Sequence, residues 1–86
     1  MPRVEVYTTA TCPFCVRAKR LLEARRIPYE EIDVESDDER RADLVRRTGR
    51  RTVPQIFIDG RSIGGYDELA ELDASGELAT LTQAAG

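Results

Sequence analysis

The feature that most constrains this chain is the alternation of strand-like and helix-like runs within only 86 residues. Residues 4–7 and 56–58 are rich in β-branched and aromatic side chains, which favour strands. Two stretches with helical periodicity, which begin near Cys12 and Ser36, lie between them. This alternation is typical of α/β folds. Since a chain of this length has room for one hydrophobic core, we expect a single domain over residues 1–86.

The first half of the chain predicts two strands joined by a helix. After the strand at residues 4–7, Pro13 opens a helix that runs to about Arg25, and residues 29–34 form the second strand. The apolar side chains that recur at helical spacing, and should face the sheet, are Cys15, Ala18, Leu21 and Leu22. A right-handed crossover through the helix makes the two strands parallel.

The second predicted helix carries clear signals at both ends. Ser36 is the expected N-cap, and Glu39 follows it at the spacing of a capping box. Arg46 and Arg47 fall in the last turn, and Gly49 is the expected left-handed C-cap. Acid at the start and base at the end match the helix macrodipole, which accounts for most of these charges without a binding role.

The second half of the chain predicts a hairpin followed by helices. Asp59-Gly60 between two β-prone runs is a strong hairpin signal. The predicted segments are strands at residues 56–58 and 61–63, a helix from 66 to 72 that breaks near Ser75-Gly76, a short helix at 77–81, and a frayed end at 84–86. The order is therefore β-α-β-α-β-β-α, with a four-stranded mixed sheet flanked by helices.

The composition argues against several classes of function. A net charge of −3 is unfavourable for binding nucleic acids or anionic membranes. No apolar run approaches the ~20 residues of a membrane-spanning helix, and the charged, alternating start of the chain does not resemble a signal peptide. Two cysteines without a signal peptide predict a reducing compartment, so we expect a cytoplasmic protein.

The motif Cys12-Pro13-Phe14-Cys15 stands where the first helix is predicted to begin. Pro13 suits the first helical position, which makes Cys12 the N-cap residue. Its sulfur would lie near the backbone N–H groups of Phe14 and Cys15, and these donors together with the positive helix end stabilise a thiolate. Cys12 is therefore the predicted nucleophile. Cys15 lies within disulfide reach one turn later, and a more buried sulfur with a higher pKa suits it to resolve the intermediate.

Two other interpretations of the motif compete with a redox role. A structural disulfide closing so short a loop would stabilise the fold by only about 2 kcal/mol, and a reducing cytosol tends to keep it open. Zinc sites usually have four ligands, whereas the chain has two cysteines and no histidine, so carboxylates or a second copy would have to complete the site. No glycine-rich phosphate loop is present. The sequence favours the redox interpretation and predicts no metal site.

Three segments resemble the motifs of dithiol glutaredoxins, particularly those of bacteria. Residues 7–15 resemble the active-site segment of that family, whose usual motif is Cys-Pro-Tyr-Cys. Thr52-Val53-Pro54 resembles its Thr-Val-Pro segment before a strand, and Gly64-Gly65-Tyr66-Asp67 resembles its Gly-Gly turn before a helix. The segments stand in the family's order and spacing, and the likeness covers essentially the whole chain.

The resemblance implies a thioredoxin-like fold and a glutathione site. The Val53-Pro54 peptide would be cis and would turn the Val53 backbone toward the bound tripeptide. The Tyr66 N–H and the Asp67 carboxylate would hold its γ-glutamyl end. From the residues alone, Pro54 could instead only block edge pairing, and Asp67 could be a helix-start charge. The implied glutathione-binding residues are Cys12, Phe14, Thr52, Val53, Pro54, Gly65, Tyr66 and Asp67.

The resemblance also implies a thiol–disulfide oxidoreductase that uses glutathione as co-substrate and holds no bound cofactor. Cys12 would attack protein–glutathione mixed disulfides, and Cys15 would resolve intermediates formed with protein disulfides. The expected partners are therefore glutathione and glutathionylated or disulfide-containing client proteins, and the protein itself is expected to be a monomer.

One departure from the family keeps two further hypotheses open. Many relatives carry a lysine or arginine three residues before the first cysteine, where this chain has Thr9. Such a cation would hold a glutathione carboxylate. Arg41 and Arg51 are candidates to replace it, although a solvent-facing position or a helix-dipole role would also explain both residues. Thioredoxin reductase or another low-molecular-weight thiol is therefore an alternative electron donor. A [2Fe–2S] cluster shared by two copies through Cys12 and two glutathiones is a third hypothesis.

Overall fold

The described residues, 3–82, form four strands and four helices in a computed structural model. The strands are β1 (Val4–Thr8), β2 (Glu30–Asp33), β3 (Gln55–Ile58) and β4 (Arg61–Gly64), and the helices are α1 (Pro13–Ala24), α2 (Asp38–Thr48), α3 (Tyr66–Ser75) and α4 (Glu77–Thr82). The predicted order of elements is confirmed, with the short last helix present as α4. The predicted fraying of residues 84–86 lies outside the described residues.

The four strands form one mixed sheet in the order β2-β1-β3-β4. β1 pairs in parallel with β2, so that Tyr7 lies opposite Ile32, and antiparallel with β3, where Val6 lies opposite Ile56. β3 and β4 form the predicted antiparallel hairpin. Asp59 and Gly60 in its turn have φ values of 51° and 81°, as a type I′ turn requires.

The larger hydrophobic core lies between the sheet and α1, α3 and α4. Along β1 and β3, alternate side chains point to this face because the side-chain period of a strand is two. Its buried members are Val4, Val6, Ala18, Leu22, Ile56, Ile58, Leu69 and Leu78. This core fixes the start of α1 beside the end of β1, which is where the cysteine motif lies.

A second core on the opposite face holds α2 against the sheet. Its buried members are Tyr7, Ile32, Val34, Leu44 and Phe57. Arg47 closes this core from the last turn of α2, because its guanidinium lies 4.1 Å from the Phe57 ring centre and donates a hydrogen bond of 3.0 Å to the Tyr7 hydroxyl. Helices therefore cover both faces of the sheet, the layered arrangement expected of an α/β fold.

The start of α2 corrects one prediction. The N-cap is Asp37 rather than Ser36, and the Asp37 carboxylate accepts a 3.0 Å hydrogen bond from the Arg40 amide. The reason is a turn at the exit of β2, in which Asp33 accepts a hydrogen bond from the Glu35 amide and moves the helix start one residue along. Gly49 caps the other end in the left-handed conformation, with φ 71°, as predicted.

No helix within residues 3–82 has the length and hydropathy needed to cross a membrane.

Candidate active site

Cys12 occupies the N-cap position of α1, directly before Pro13 at the first helical position. Its backbone is extended, with φ −110° and ψ 107°, so its side chain turns back over the first helical turn. The sulfur accepts a hydrogen bond of 3.1 Å from the Cys15 amide. The sequence predicted two donors to this sulfur, the Phe14 and Cys15 amides, and only the Cys15 amide makes the bond. The reason is that a cap side chain reaches the amide of either the second or the third helical residue.

The Cys12 sulfur also contacts the loop that precedes β3. As a thiol it donates to the Val53 carbonyl oxygen at 3.5 Å. The Val53-Pro54 peptide is cis, as the resemblance implied, and Pro54 is buried. The Cys12 sulfur therefore contacts one hydrogen-bond donor, the Cys15 amide, and one acceptor, the Val53 carbonyl.

Cys15 is in a different environment from Cys12, although both cysteines are free thiols. It is 1% exposed, whereas Cys12 is half-buried. Burial raises the pKa of Cys15 to about 12, and its hydrogen bond with Cys12 adds to the increase, while the Thr9 backbone and the Lys19 charge act in the opposite direction. A buried, protonated thiol of this kind matches the role predicted for the resolving cysteine.

A groove of about 190 Å³ opens beside the Cys12 sulfur. It is lined by Phe14, Arg50, Thr52, Val53, Pro54, Gly65, Tyr66, Asp67 and Glu68. Of the residues that the resemblance implied for glutathione, seven line this groove. The eighth, Cys12, adjoins it through its contact with the Val53 carbonyl. Residues from three segments, 12–14, 50–54 and 65–68, are thus brought together around the Cys12 sulfur.

Aromatic side chains form one wall of the groove. Phe14 is 50% exposed, and its ring centre lies 6.1 Å from that of Tyr66. The Arg17 guanidinium covers the Phe14 ring at 5.2 Å from its centre. The wall therefore offers an accessible apolar surface next to the Cys12 sulfur, with a cation at its edge.

The opposite part of the groove is held together by a carboxylate that the sequence analysis did not single out. One oxygen of Glu68 accepts hydrogen bonds of 2.9 Å from the Gly65 amide and of 2.9 Å from the Arg50 guanidinium. These donors hold the pKa of Glu68 below its usual value, the Gly65 amide having the larger effect. A Cβ on Gly65 would lie 3.2 Å from the Pro54 carbonyl oxygen, so the absence of a side chain allows α3 to approach the loop closely.

Arg50 is the cation that the fold places in the groove. The two arginines considered from the sequence, Arg41 and Arg51, are exposed and do not line it. Glu68 was detectable in principle, because it stands three residues after Gly65 at the spacing of a capping box. Its link to Arg50 joins residues 18 positions apart and has no local signal.

The buried side-chain amide of Gln55 supports the wall of the groove. Gln55 is 1% exposed, and its side-chain nitrogen donates to the Thr52 carbonyl at 3.1 Å and to the Thr52 hydroxyl at 3.2 Å. Gln55 therefore fixes the conformation of the segment that carries Thr52 and Val53 toward the groove.

A larger cavity, of about 640 Å³, lies between the β3–β4 hairpin and helices α3 and α4, and neither cysteine lines it. Within residues 3–82, no cluster of three or more Cys, Asp or Glu side chains is arranged to hold a metal ion.

Comparison with known sequences gives a consistent result. The glutaredoxin family model matches residues 4–63. Glutaredoxin 3 of Escherichia coli (strain K12) is 47% identical over 78 residues, which span 91% of this chain and 94% of that protein. A glutaredoxin of Pseudomonas aeruginosa is 45% identical over 84 residues, or 98% of this chain and all of that protein.

Solved structures show the same similarity in three dimensions. The crystal structure of a buckwheat glutaredoxin–glutathione complex superposes with a TM-score of 0.88 at 32% identity and covers 94% of this chain and 76% of that one. The solution structure of a glutaredoxin from Brucella melitensis gives 0.85 at 42% identity, over 94% and 88% of the two chains. The fold is therefore the thioredoxin fold of these proteins, and the chain belongs to the glutaredoxin family of thiol–disulfide oxidoreductases.

Proposed function

We propose that this protein is a glutathione-dependent oxidoreductase that reduces protein–glutathione mixed disulfides and protein disulfides. The observation that supports this most strongly is the position of the Cys12 sulfur. It accepts a hydrogen bond from the Cys15 amide at the start of α1, and it adjoins a groove lined by the residues that the resemblance implied for glutathione. The amide and the positive helix end favour the thiolate, which is the form that attacks a disulfide.

In the proposed monothiol reaction, the Cys12 thiolate attacks the glutathionyl sulfur of a mixed disulfide. The client protein leaves as a thiolate and takes up a proton, and Cys12 carries the glutathionyl group. A second glutathione, as its thiolate, then attacks that group, so that glutathione disulfide forms and the Cys12 thiolate returns. Glutathione is thus a co-substrate, and no resident cofactor takes part.

In the proposed dithiol reaction, Cys12 attacks a disulfide of a client protein and forms a mixed disulfide with it. Cys15 loses its proton, attacks the Cys12 sulfur and expels the client thiolate. The product is a Cys12–Cys15 disulfide, which two glutathiones reduce. The burial of Cys15 supports this division of roles, because a protonated thiol does not compete with Cys12 for the first attack.

Glutathione is proposed to lie in the groove between Phe14 and Asp67. The Val53 backbone would pair with the tripeptide, Thr52 and Pro54 would shape this edge, and Gly65 would leave room for the chain. The Tyr66 amide would bind the γ-glutamyl carboxylate and Asp67 its ammonium group. The buckwheat glutaredoxin–glutathione complex among the similar structures supports this assignment.

We further propose that residues 1–86 act as one glutaredoxin domain, as a monomer, in the reducing environment of the cytoplasm. Both cysteines of the reaction lie in one chain, so the proposed chemistry needs no second copy. A reducing compartment would keep the pair in the dithiol form that the reaction requires.

The test is turnover of a glutathionylated peptide in an assay coupled to glutathione reductase. The wild type should turn over, Cys12→Ser should lose all activity, and Cys15→Ser should retain it. With a protein disulfide as substrate, both variants should be inactive. Equal loss of activity in the two variants on the glutathionylated peptide would contradict the assigned roles.

The same assay addresses the alternative electron donor. If thioredoxin reductase with NADPH supported turnover and glutathione with its reductase did not, the proposed glutathione dependence would be wrong. The proposed roles of Cys12 and Cys15 would be unaffected by that result. The presence of Arg50 in the groove favours glutathione, because it supplies a cation there, whereas Thr9 does not line the groove.

A further inference from the structure

A polar cluster near Cys15, the proposed resolving cysteine, has no assigned role in the monothiol or the dithiol reaction. The Lys19 ammonium lies 3.0 Å from one carboxylate oxygen of Glu31, and the Thr8 hydroxyl donates to the same oxygen at 2.9 Å. Thr8 is 1% exposed, at the end of β1. The bond from Lys19 lowers the pKa of Glu31 below its usual range, so this carboxylate is ionised at neutral pH.

Helical geometry places this cluster on the side of α1 that carries Cys15. Cys15 and Lys19 are four residues apart on α1, so their side chains lie on the same face one turn apart. A free lysine side chain is flexible, but Glu31 on β2 and Thr8 on β1 restrain this one from the sheet. Lys19 is also the only lysine in the chain.

The charge of Lys19 reaches the Cys15 sulfur. It lowers the pKa of that thiol, against the larger increase caused by burial and by the hydrogen bond to Cys12. The other charged groups near the cluster are Cys12 at the helix start and Asp33, whose charge acts on Glu31. When Cys12 is bound in a mixed disulfide, its own charge is absent, and Lys19 is then the charged group that favours ionisation of Cys15.

We propose that Lys19, held in place by Glu31 and Thr8, accelerates the resolving step by stabilising the Cys15 thiolate as it forms. This inference rests on the proposed function, since it concerns the dithiol branch of that reaction. Cys15 releases its proton to solvent, its thiolate attacks the Cys12 sulfur, and the group bound to Cys12 leaves as a thiolate. Lys19 stays protonated throughout, while Glu31 and Thr8 are positioning residues.

A purely structural role predicts a different outcome. Partly exposed ion pairs contribute little to stability, so a structural pair should affect neither chemical step. An electrostatic role affects the second step only, because the first attack is made by Cys12 before Cys15 ionises.

The experiment separates the two steps with glutathione disulfide as the probe. Reduced full-length protein is mixed with it, quenched with acid at successive times, and analysed by mass spectrometry. The first step gives the Cys12–glutathione adduct and one glutathione. The second gives the Cys12–Cys15 disulfide and another glutathione, so each rate is read from its own product.

Lys19→Met should slow the second step roughly 3- to 10-fold, the effect of one nearby charge on the ionisation of a thiol, and leave the first unchanged. Lys19→Arg should restore the second step to within about twofold, because it keeps the charge and can pair with Glu31. Arg20→Met removes a cation from an exposed neighbouring position and should change neither step. The double variant Lys19→Met with Glu31→Gln should remain slow, although it leaves no unpaired carboxylate.

The proposal is overturned if Lys19→Met leaves the rate of the second step unchanged or slows both steps equally. It is also overturned if Lys19→Met and Arg20→Met change the rate of the second step by the same factor. A normal rate in the double variant would also overturn it, because the unpaired Glu31 would then explain the single variant. Failure of the wild type to form the glutathione adduct would instead count against the proposed function, so the two failures are distinguishable.

Discussion

The two sulfur atoms of the site lie in different surroundings, and the roles proposed for them rest on that difference. The Cys12 sulfur accepts a hydrogen bond from the Cys15 amide at the helix start and borders an open groove. Cys15 is buried, and burial raises its pKa to about 12. Both cysteines lie within one helical turn, as the proposed division between an attacking and a resolving thiol requires.

Glu68 shows how one carboxylate supports the groove at the scale of a single residue. It joins the Gly65 amide to Arg50, and both donors lower its pKa. A carboxyl group whose pKa is lower in the folded state stabilises the fold above its unfolded pKa. That stabilisation is lost as the pH falls through the folded value.

We therefore expect Glu68→Gln to destabilise the protein by about 0.5–1 kcal/mol at pH 7, a low value because this carboxylate is 40% exposed. The difference from the wild type should shrink as the pH falls below the unfolded-state pKa of about 4.3, because the wild-type carboxylate then takes up a proton as well. Urea unfolding at pH 7 and pH 3 measures it, with the exposed Glu71→Gln on the same helix as control. A difference of equal size at both pH values would contradict the assignment.

At the scale of elements, helix starts determine much of the site. α1 begins at the Cys12 cap, and α3 begins at Gly65, whose amide is bound by Glu68. Both starts face the loop that contains Pro54, so the groove lies between two helix N-termini. The positive ends of both helices favour anionic groups there.

The start of α2 offers a direct comparison of the expected cap with the observed one. Asp37→Ala should destabilise the protein by about 1 kcal/mol, because it removes the acceptor for the Arg40 amide. Ser36→Ala should change the stability by less than about 0.5 kcal/mol. Thermal unfolding followed by circular dichroism measures both, and a larger loss in the Ser36 variant would favour the cap predicted from the sequence.

This element also shows why boundaries are harder to predict than elements. Ser36 and Asp37 are both good caps, and Glu39 stands at the right spacing from the first. The turn at Asp33 and Glu35 determines which of the two residues is the N-cap, and the geometry of that turn depends on where β2 ends. The sequence pattern identifies the helix, and the neighbouring strand determines its first residue.

At the scale of the whole molecule, the sheet could be predicted because its signals are local. The apolar strands, the Asp59-Gly60 turn and the crossover rule define a mixed sheet without knowledge of distant contacts. The Cys12 cap was predictable for the same reason, since Pro13 marks the helix start.

The parts of the site that the sequence did not predict are long-range side-chain contacts. The pairs Arg50–Glu68 and Lys19–Glu31 join residues 18 and 12 positions apart. Such pairs depend on how the elements pack, and each residue alone looks like an ordinary surface charge. The groove that we propose to bind glutathione was indicated by the resemblance to glutaredoxins rather than by any spacing.

The central claim is that Cys12 is the reactive thiol and Cys15 the protected one, and alkylation tests it most directly. Reduced protein is treated at pH 7 with limiting iodoacetamide, and the label is located by fragment-ion mass spectrometry. Because burial raises the pKa of Cys15 to about 12, its thiol is almost entirely protonated at this pH. The label should therefore appear on Cys12, with at least roughly 100-fold less on Cys15. Equal labelling of the two cysteines, or preferential labelling of Cys15, would contradict the account.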